Sequence, residues 1–332
     1  MNNNKGLKIG FIALIVAGGF FITRGAQALT LIPPSFETSV DPGKTFDTQI
    51  KLYNEGQEAL ELYPEVVSFT AEGETGRPTW DFEAPREGVA TWFEIQDGPV
   101  IIEPGERLVI PVQITPPADA EPGGHYATVF FGTEPPDISG STGVAVGTKL
   151  GSLFLLRVFG DVEEAGSISE FGYDGNESRN RLPVTFFTRF ENTGNIHLRP
   201  EGNVTVKNLF GRASAVLPLN PTNGATLPDT IRRYETVWEN TMIDETDGNV
   251  WTSFWTEFGN EWRNFALGRY SATVELEAGN GGLIQDSATT SLWVWPWRVL
   301  TLAVLVLALL VLLLIFILKK YNSWIINRAR GV

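Results

Sequence analysis

Two histidines, His125 and His197, and no cysteine are what this chain offers for nucleophilic or metal chemistry. Without sulfur there is no thiolate zinc site, iron–sulfur cluster, cysteine nucleophile, disulfide scaffold or lipid-modified cysteine. Two histidines 72 positions apart leave little for a two- or three-histidine metal site. No Gly-x-Ser-x-Gly elbow surrounds any serine. Asp244-Glu245-Thr246-Asp247-Gly248-Asn249 has the composition of a calcium loop but neither its alternating ligand spacing nor its distal bidentate Glu, so it reads as an acidic turn. Leu227-Pro228-Asp229-Thr230 begins like a sortase signal, yet Ile231 stands where Gly is required. Carboxylate pairs abound in so acidic a chain and do not single out a glycosidase site. The reading is of a non-enzyme with no cofactor and no metal.

The residues suited to recognition are aromatic. Trp251, Phe254, Trp255, Phe258, Trp262 and Phe265 recur at steps of three and four, with Phe254 and Trp255 adjacent, which puts six rings on one face of a helix near 249–266. The expectation is that this insertion caps one end of a β-sandwich with its rings in the core, since six exposed aromatics burden solubility. The sharper alternative is an exposed ledge that meets a membrane interface, a sugar or a partner. A weaker surface is Trp80, Phe82, Trp92 and Phe93, in and beside the loop-rich stretch 70–91. The candidate binding residues are therefore Trp80, Trp92, Trp251, Trp255 and Trp262.

The elements that position these rings lie between two apolar ends. Lys5 and Lys8, the apolar run Ile9 to Ile22, and Ala26-Gln27-Ala28 predict an export signal over 1–28, cleaved after Ala28. Val299 to Leu318 is 20 residues without a charge, enough to cross a hydrocarbon core ~30 Å thick. Trp293, Trp295 and Trp297 precede it as an interfacial belt, and Lys319, Lys320, Arg328 and Arg330 follow it. The expectation is one transmembrane helix over 296–318, a basic cytoplasmic tail over 319–332, and the remainder outside the cell. The exported part, Leu29 to Trp295, holds 17 basic and 39 acidic residues, a net of −22. Such a surface repels nucleic acid and anionic headgroups. It suits cationic partners.

That exported part predicts an all-β fold of two tandem immunoglobulin-like β-sandwiches, over 29–160 and 161–295. Phe46–Tyr53, Leu108–Ile114, Ala127–Phe131, Val184–Phe190, Val204–Val206 and Ala272–Leu276 alternate as strands. Turn signals such as Asp41-Pro42-Gly43 and Glu121-Pro122-Gly123-Gly124 punctuate them. An internal repeat supports the division. Asn54-Glu55-Gly56 is answered by Asn192-Thr193-Gly194 after 138 positions, and Gly124-His125-Tyr126 by Gly268-Arg269-Tyr270 after 144. The Asn-x-Gly pair ends a strand with residues that tolerate positive φ. The Gly-x-Tyr pair predicts corners whose tyrosines hydrogen-bond upstream backbone. Asp161–Gly166 reads as a short polar connector.

In layout the chain resembles the WxL-interacting cell-surface proteins of Gram-positive bacteria. The residues that carry the likeness are Asp41-Pro42-Gly43, Asn54, Glu103-Pro104-Gly105-Glu106 before Leu108–Ile114, Thr115-Pro116-Pro117 and Pro122-Gly123-Gly124-His125-Tyr126. Asn192-Thr193-Gly194 and Gly268-Arg269-Tyr270 carry it more loosely in the second half. The resemblance implies a first sandwich that binds cell-wall peptidoglycan and a second that binds a protein partner. The chain has no Trp-x-Leu motif, as suits a partner of such proteins. Pilus-assembly chaperones also pair two immunoglobulin-like modules and are similar at the Pro-Gly-Glu strand start, but they are soluble.

The functional expectation is a membrane-anchored surface protein that binds cell-wall polymer or another surface protein. The alternative is an assembly factor that docks exported subunits, for which an exposed edge strand with apolar outward residues is expected. A surface hydrolase ranks below both.

Overall fold

The computed structural model describes residues 29–134, 148–175, 182–239, 250–263 and 265–329. The export signal over 1–28 and the acidic turn at Asp244 lie outside them. The chain is mostly β, in two compact units with the main break between Phe159 and Gly160, and it ends in one long apolar helix.

Among the described residues the N-terminal sheets hold ten strands, β1 (Leu29–Ile32), β2 (Ser35–Val40), β3 (Phe46–Asn54), β4 (Leu60–Glu72), β5 (Arg77–Trp80), β6 (Phe93–Ile95), β7 (Val100–Ile102), β8 (Arg107–Ile114), β9 (Gly123–Gly132) and β10 (Lys149–Val158). One sheet runs β1-β3-β8-β6 and the other β2-β10-β9-β4-β5, with β7 on β4. β8 shows why these segments are strands. Ile110, Val112 and Ile114 point inward and are at most 1% exposed, while Val109, Pro111 and Gln113 between them face out. Ile50 and Leu52 from β3 meet Val129 and Phe131 from β9 and Phe154 and Leu156 from β10 in one core. Each such buried side chain contributes about 1.5–3 kcal/mol.

The second unit has β11 (Gly166–Asp174), β12 (Val184–Asn192), β13 (Glu201–Asn208), β14 (Ala213–Pro218), β15 (Thr230–Trp238), β16 (Gly268–Ala278) and β17 (Ile284–Val294). Its sheets run β11-β12-β15 and β14-β13-β16-β17. They close on Phe186, Phe190, Val204, Val206, Trp238, Val274 and Leu276. Every alternating segment read from the sequence falls within a strand.

The repeated asparagines have a physical role beyond marking strand ends. Asn54 and Asn192 are both fully buried. The Asn54 amide donates to the carbonyls of Glu58 (2.8 Å) and Ile102 (3.0 Å), and its Oδ1 accepts the N–H of Gly56 (2.9 Å). Asn192 repeats the arrangement with Ile196 (2.7 Å), Thr226 (2.9 Å) and Gly194 (3.0 Å). Each side chain closes its own turn and staples it to a distant backbone carbonyl. The tolerance of positive φ is not drawn on at these turns, since neither Gly56 nor Gly194 adopts one. Gly194 is small because a Cβ there would lie 2.3 Å from the Glu163 carbonyl oxygen.

Tyr270 is buried with its ring edge-on to Trp238 at 5.1 Å, and Tyr126 packs on Phe69 at 5.7 Å. Tyr234, which the repeat did not mark, bonds upstream backbone: its hydroxyl lies 2.8 Å from Thr226 Oγ1 and donates to the Gly224 carbonyl at 3.1 Å. Burial raises its pKa above the ordinary value, against a smaller opposing effect of the Thr226 hydrogen bond.

The C-terminal part has two helices, α1 (Val250–Arg263) and α2 (Trp297–Ala329). α2 does not stop at Leu318 as expected. Gly331 is the first helix breaker after Pro296, so Lys319 and Lys320 simply continue the helix. Its segment Trp297–Ile326 is long and apolar enough to cross a membrane; its most apolar window has a mean hydropathy of 3.4 and is not buried, whereas Val299 at the helix start is.

Two outcomes are expected. Asn192→Ala or Asn54→Ala strands buried carbonyls and lowers stability by about 2–3 kcal/mol, against under about 1 kcal/mol for the half-exposed Asn208→Ala, as read by urea unfolding. The neutral Tyr234 phenol contributes stability that is intact below its ordinary unfolded value of about pH 10 and is lost as pH rises through its higher folded value. Tyr234→Phe flattens that alkaline fall in melting temperature.

Candidate binding surfaces

The first surface lies on the β2-β10-β9-β4-β5 sheet. Trp80 closes β5, and its indole N–H donates to Thr128 Oγ1 at 2.7 Å. Its ring meets Phe130 edge-on at 5.2 Å, and Phe82 joins the pair at 5.2 Å from Phe130. Gly151 leaves room for this cluster, since a Cβ there would lie 2.7 Å from Thr128 and 2.8 Å from Phe130. The Lys149 ammonium stands 4.0 Å from the centre of the Phe82 ring and pairs with Glu65 at 2.6 Å. Beside the cluster opens a cleft of ≈ 640 Å³ with Val66, Phe82 and Pro85 as its apolar wall and Glu83, Glu87 and Asp97 among its acids. Arg86 is the one cation in that wall, and it is turned to the carbonyls of Ala90 and Phe93.

Trp92 is absent from this surface. It closes a short 3₁₀ turn, Gly88–Trp92, and is buried in the core with its ring 4.6 Å from that of His125. His125 is accordingly a packed ring, bonded to the Glu121 carbonyl at 2.8 Å, rather than a solvated one. His197 is buried in the second unit. Among the described residues no group of three His, Cys, Asp or Glu side chains could hold a metal.

The second surface is α1. The spacing of its aromatics does mark a helix, but its rings do not enter the core. Trp251 is 68% exposed, Trp262 65% and Trp255 42%, with Phe265 exposed just beyond the helix. Phe254 and Phe258 are half-buried. The rings contact one another along the helix, Trp251 edge-on to Trp255 at 5.7 Å and Phe258 stacked on Trp262 at 6.3 Å. The physical reason is that α1 docks by its polar edge. Glu261, 4% exposed, accepts the backbone N–H of Arg298 at 2.9 Å and of Val299 at 3.3 Å, at the start of α2. The Arg298 guanidinium reaches Glu261 Oε1 at 3.1 Å and also pairs with Glu257. A carboxylate on free helix-start N–H groups is the favourable polarity for the helix dipole.

Sequence reasoning did not find Glu257, Glu261 or Arg298. The signals were an i,i+4 acidic pair on a helix and an arginine placed directly before an uncharged run. Trp293, Trp295 and Trp297 are each about half exposed, with the first two stacked at 5.9 Å. Lys319 and Lys320 lie exposed on α2, followed by Trp324, which carries Arg328 at 5.0 Å from its ring. On β17 the outward residues Gln285, Ser287, Thr289 and Ser291 are polar and Trp293 alone is apolar, so this strand does not offer an apolar row for strand addition.

The clamp generates a prediction. Glu261→Ala leaves Arg298 half-paired in a buried site, so α1 opens more often. Chymotrypsin is expected to cut at Trp255 and Phe258 at least about tenfold faster, with the sandwich strands unaffected. Unchanged cleavage would contradict the clamp.

The chain matches no protein-family model and no curated protein sequence. Among solved structures it is similar to the class 5 fimbriae chaperone CfaA at 14% identity and a TM-score of 0.37, over 80% of this chain and 98% of that one. It is similar to the YadV chaperone at 10% and 0.35, over 80% and 99%. The E. coli chaperone DraB stands at 9% and 0.35, over 81% and 98%. Superpositions this loose carry no role across to this chain.

Proposed function

We propose that the chain is a membrane-tethered, non-enzymatic docking protein whose β units stand outside the cell and bind exported polypeptides. The observation that carries the reading is the apolar stretch of α2 from Val304 onward, which stays exposed although both β units close their own cores. A helix whose apolar length the β cores do not use, followed by Lys319, Lys320 and Arg328 with no acidic residue after Pro296, is suited to a single span with its basic end in the cytoplasm.

The partner class follows from the first surface. A sugar polymer needs open aromatic faces, but Phe82 has Lys149 over its ring and Trp92 is buried. What remains open is a cleft with an apolar wall and acidic side chains, within an ectodomain of net charge −22 between Leu29 and Trp295. Anionic wall polymer is repelled by such a surface, whereas a polypeptide with basic and apolar side chains fits it. The resemblance to WxL-interacting proteins supports the same class through its protein partner, and it keeps wall polymer as the second reading.

The test uses the full chain in liposomes, offered the exported proteins of the source cell and, separately, protease-treated cell wall. An exported protein is expected to be retained. The double substitution Glu83→Lys with Asp97→Lys lowers its retention by at least about tenfold, since both charges face the cleft. Retention of protease-treated wall, undiminished by the charge reversal, would overturn the reading in favour of polymer binding.

A further inference from the structure

We infer that α1 is an interfacial membrane helix, seated in the outer face of the bilayer with Trp251, Trp255 and Trp262 at the boundary between headgroups and acyl chains. The inference rests on the proposed span of α2 and goes beyond it. Three observations carry it.

The first is position. Glu261 bonds the backbone N–H groups of Arg298 and Val299, and Val299 is where the uncharged run begins. Twenty residues at 1.5 Å each span about 30 Å, the thickness of a hydrocarbon core, so a spanning α2 has its first turn at the outer interface. Whatever is hydrogen-bonded to that turn lies at the same depth. The clamp therefore sets the level of α1 without reference to lipid.

The second is orientation. At 100° per residue Trp251, Trp255 and Trp262 fall within about 40° of one another, and all three are exposed. Glu257, Asn260 and Glu261 lie on another side of the helix, and the latter two are buried. The edge that docks on α2 and the aromatic face are thus different faces of one helix. Tryptophan is the residue that favours this depth, with an apolar ring and one N–H for the wet side. Trp293, Trp295 and Trp297, half exposed beside the same turn, extend the apolar surface.

The third is charge. The two acids of α1, Glu257 and Glu261, both pair with Arg298. Arg263 is then the one exposed charge of the helix, too little for an electrostatic anchor, so its seating rests on the apolar rings.

The chain has no cysteine, so single labels are clean. Four variants of the full chain, Trp255→Cys, Trp262→Cys, Ser287→Cys and Ala308→Cys, are labelled with an environment-sensitive fluorophore and reconstituted in phosphatidylcholine vesicles. Nitroxide lipids then quench from a shallow or a deep position. Labels at 255 and 262 are expected to be quenched at least about twofold more by the shallow nitroxide. The label at 308 is quenched more by the deep one, the label at 287 by neither, and high salt leaves the pattern unchanged. Labels at 255 and 262 that behave like the one at 287, while 308 reports deep lipid, overturn the inference and leave the span standing. A label at 308 that no lipid quenches removes the span, and the inference with it. Loss of shallow quenching in high salt overturns the apolar seating.

Discussion

From Val304 to Leu318 the chain carries an apolar helix surface that nothing else in the described protein covers. Water solvates such a surface at a cost of roughly 25 cal/mol per Å², and side chains there are commonly 44–67% exposed. That constraint orders the rest of the molecule. The β units must complete their cores without the helix, the junction before it must hold its one arginine in partnership, and any element fixed to its first turn must tolerate lipid. Arg298 meets Glu257 and Glu261, and α1 exposes tryptophan rather than charge along its outer face.

The β units satisfy their part without disulfides. In each, a fully buried asparagine does what a covalent staple does in many exported domains, joining the end of one strand to a backbone carbonyl distant in sequence. The same three-bond pattern in both halves is the physical content of the internal repeat. It is also why the repeat survives in two halves whose described strands differ in number, ten in the N-terminal sheets and seven in the second. A staple made of hydrogen bonds holds only while buried, so these positions are sensitive to anything that lets water in.

Much of this was legible in the sequence, and the misses have particular causes. Alternation at Ile110, Val112 and Ile114 fixes a strand because a period of two has one meaning. The three- and four-residue spacing of the α1 aromatics fixes a helix, but a protein core and a membrane surface demand the same stripe, so burial was not written there. Trp92 looked like a loop residue because a short 3₁₀ turn has no periodic signal, and that turn is what carries it inward. The Glu261–Arg298 pair joins positions 37 apart, across β16 and β17, which no local pattern announces. The Asn-x-Gly repeat was visible, but its mechanism lay in the asparagine side chain rather than in glycine conformation.

The central claim is that the β units stand outside a membrane that α2 crosses once. Its most direct test is protease shaving of intact cells that carry the full chain with an epitope after Val332. The account predicts that external protease removes the β units while the epitope survives on a short membrane-bound fragment. Destruction of the epitope in intact cells, or protection of the β units there, would contradict it.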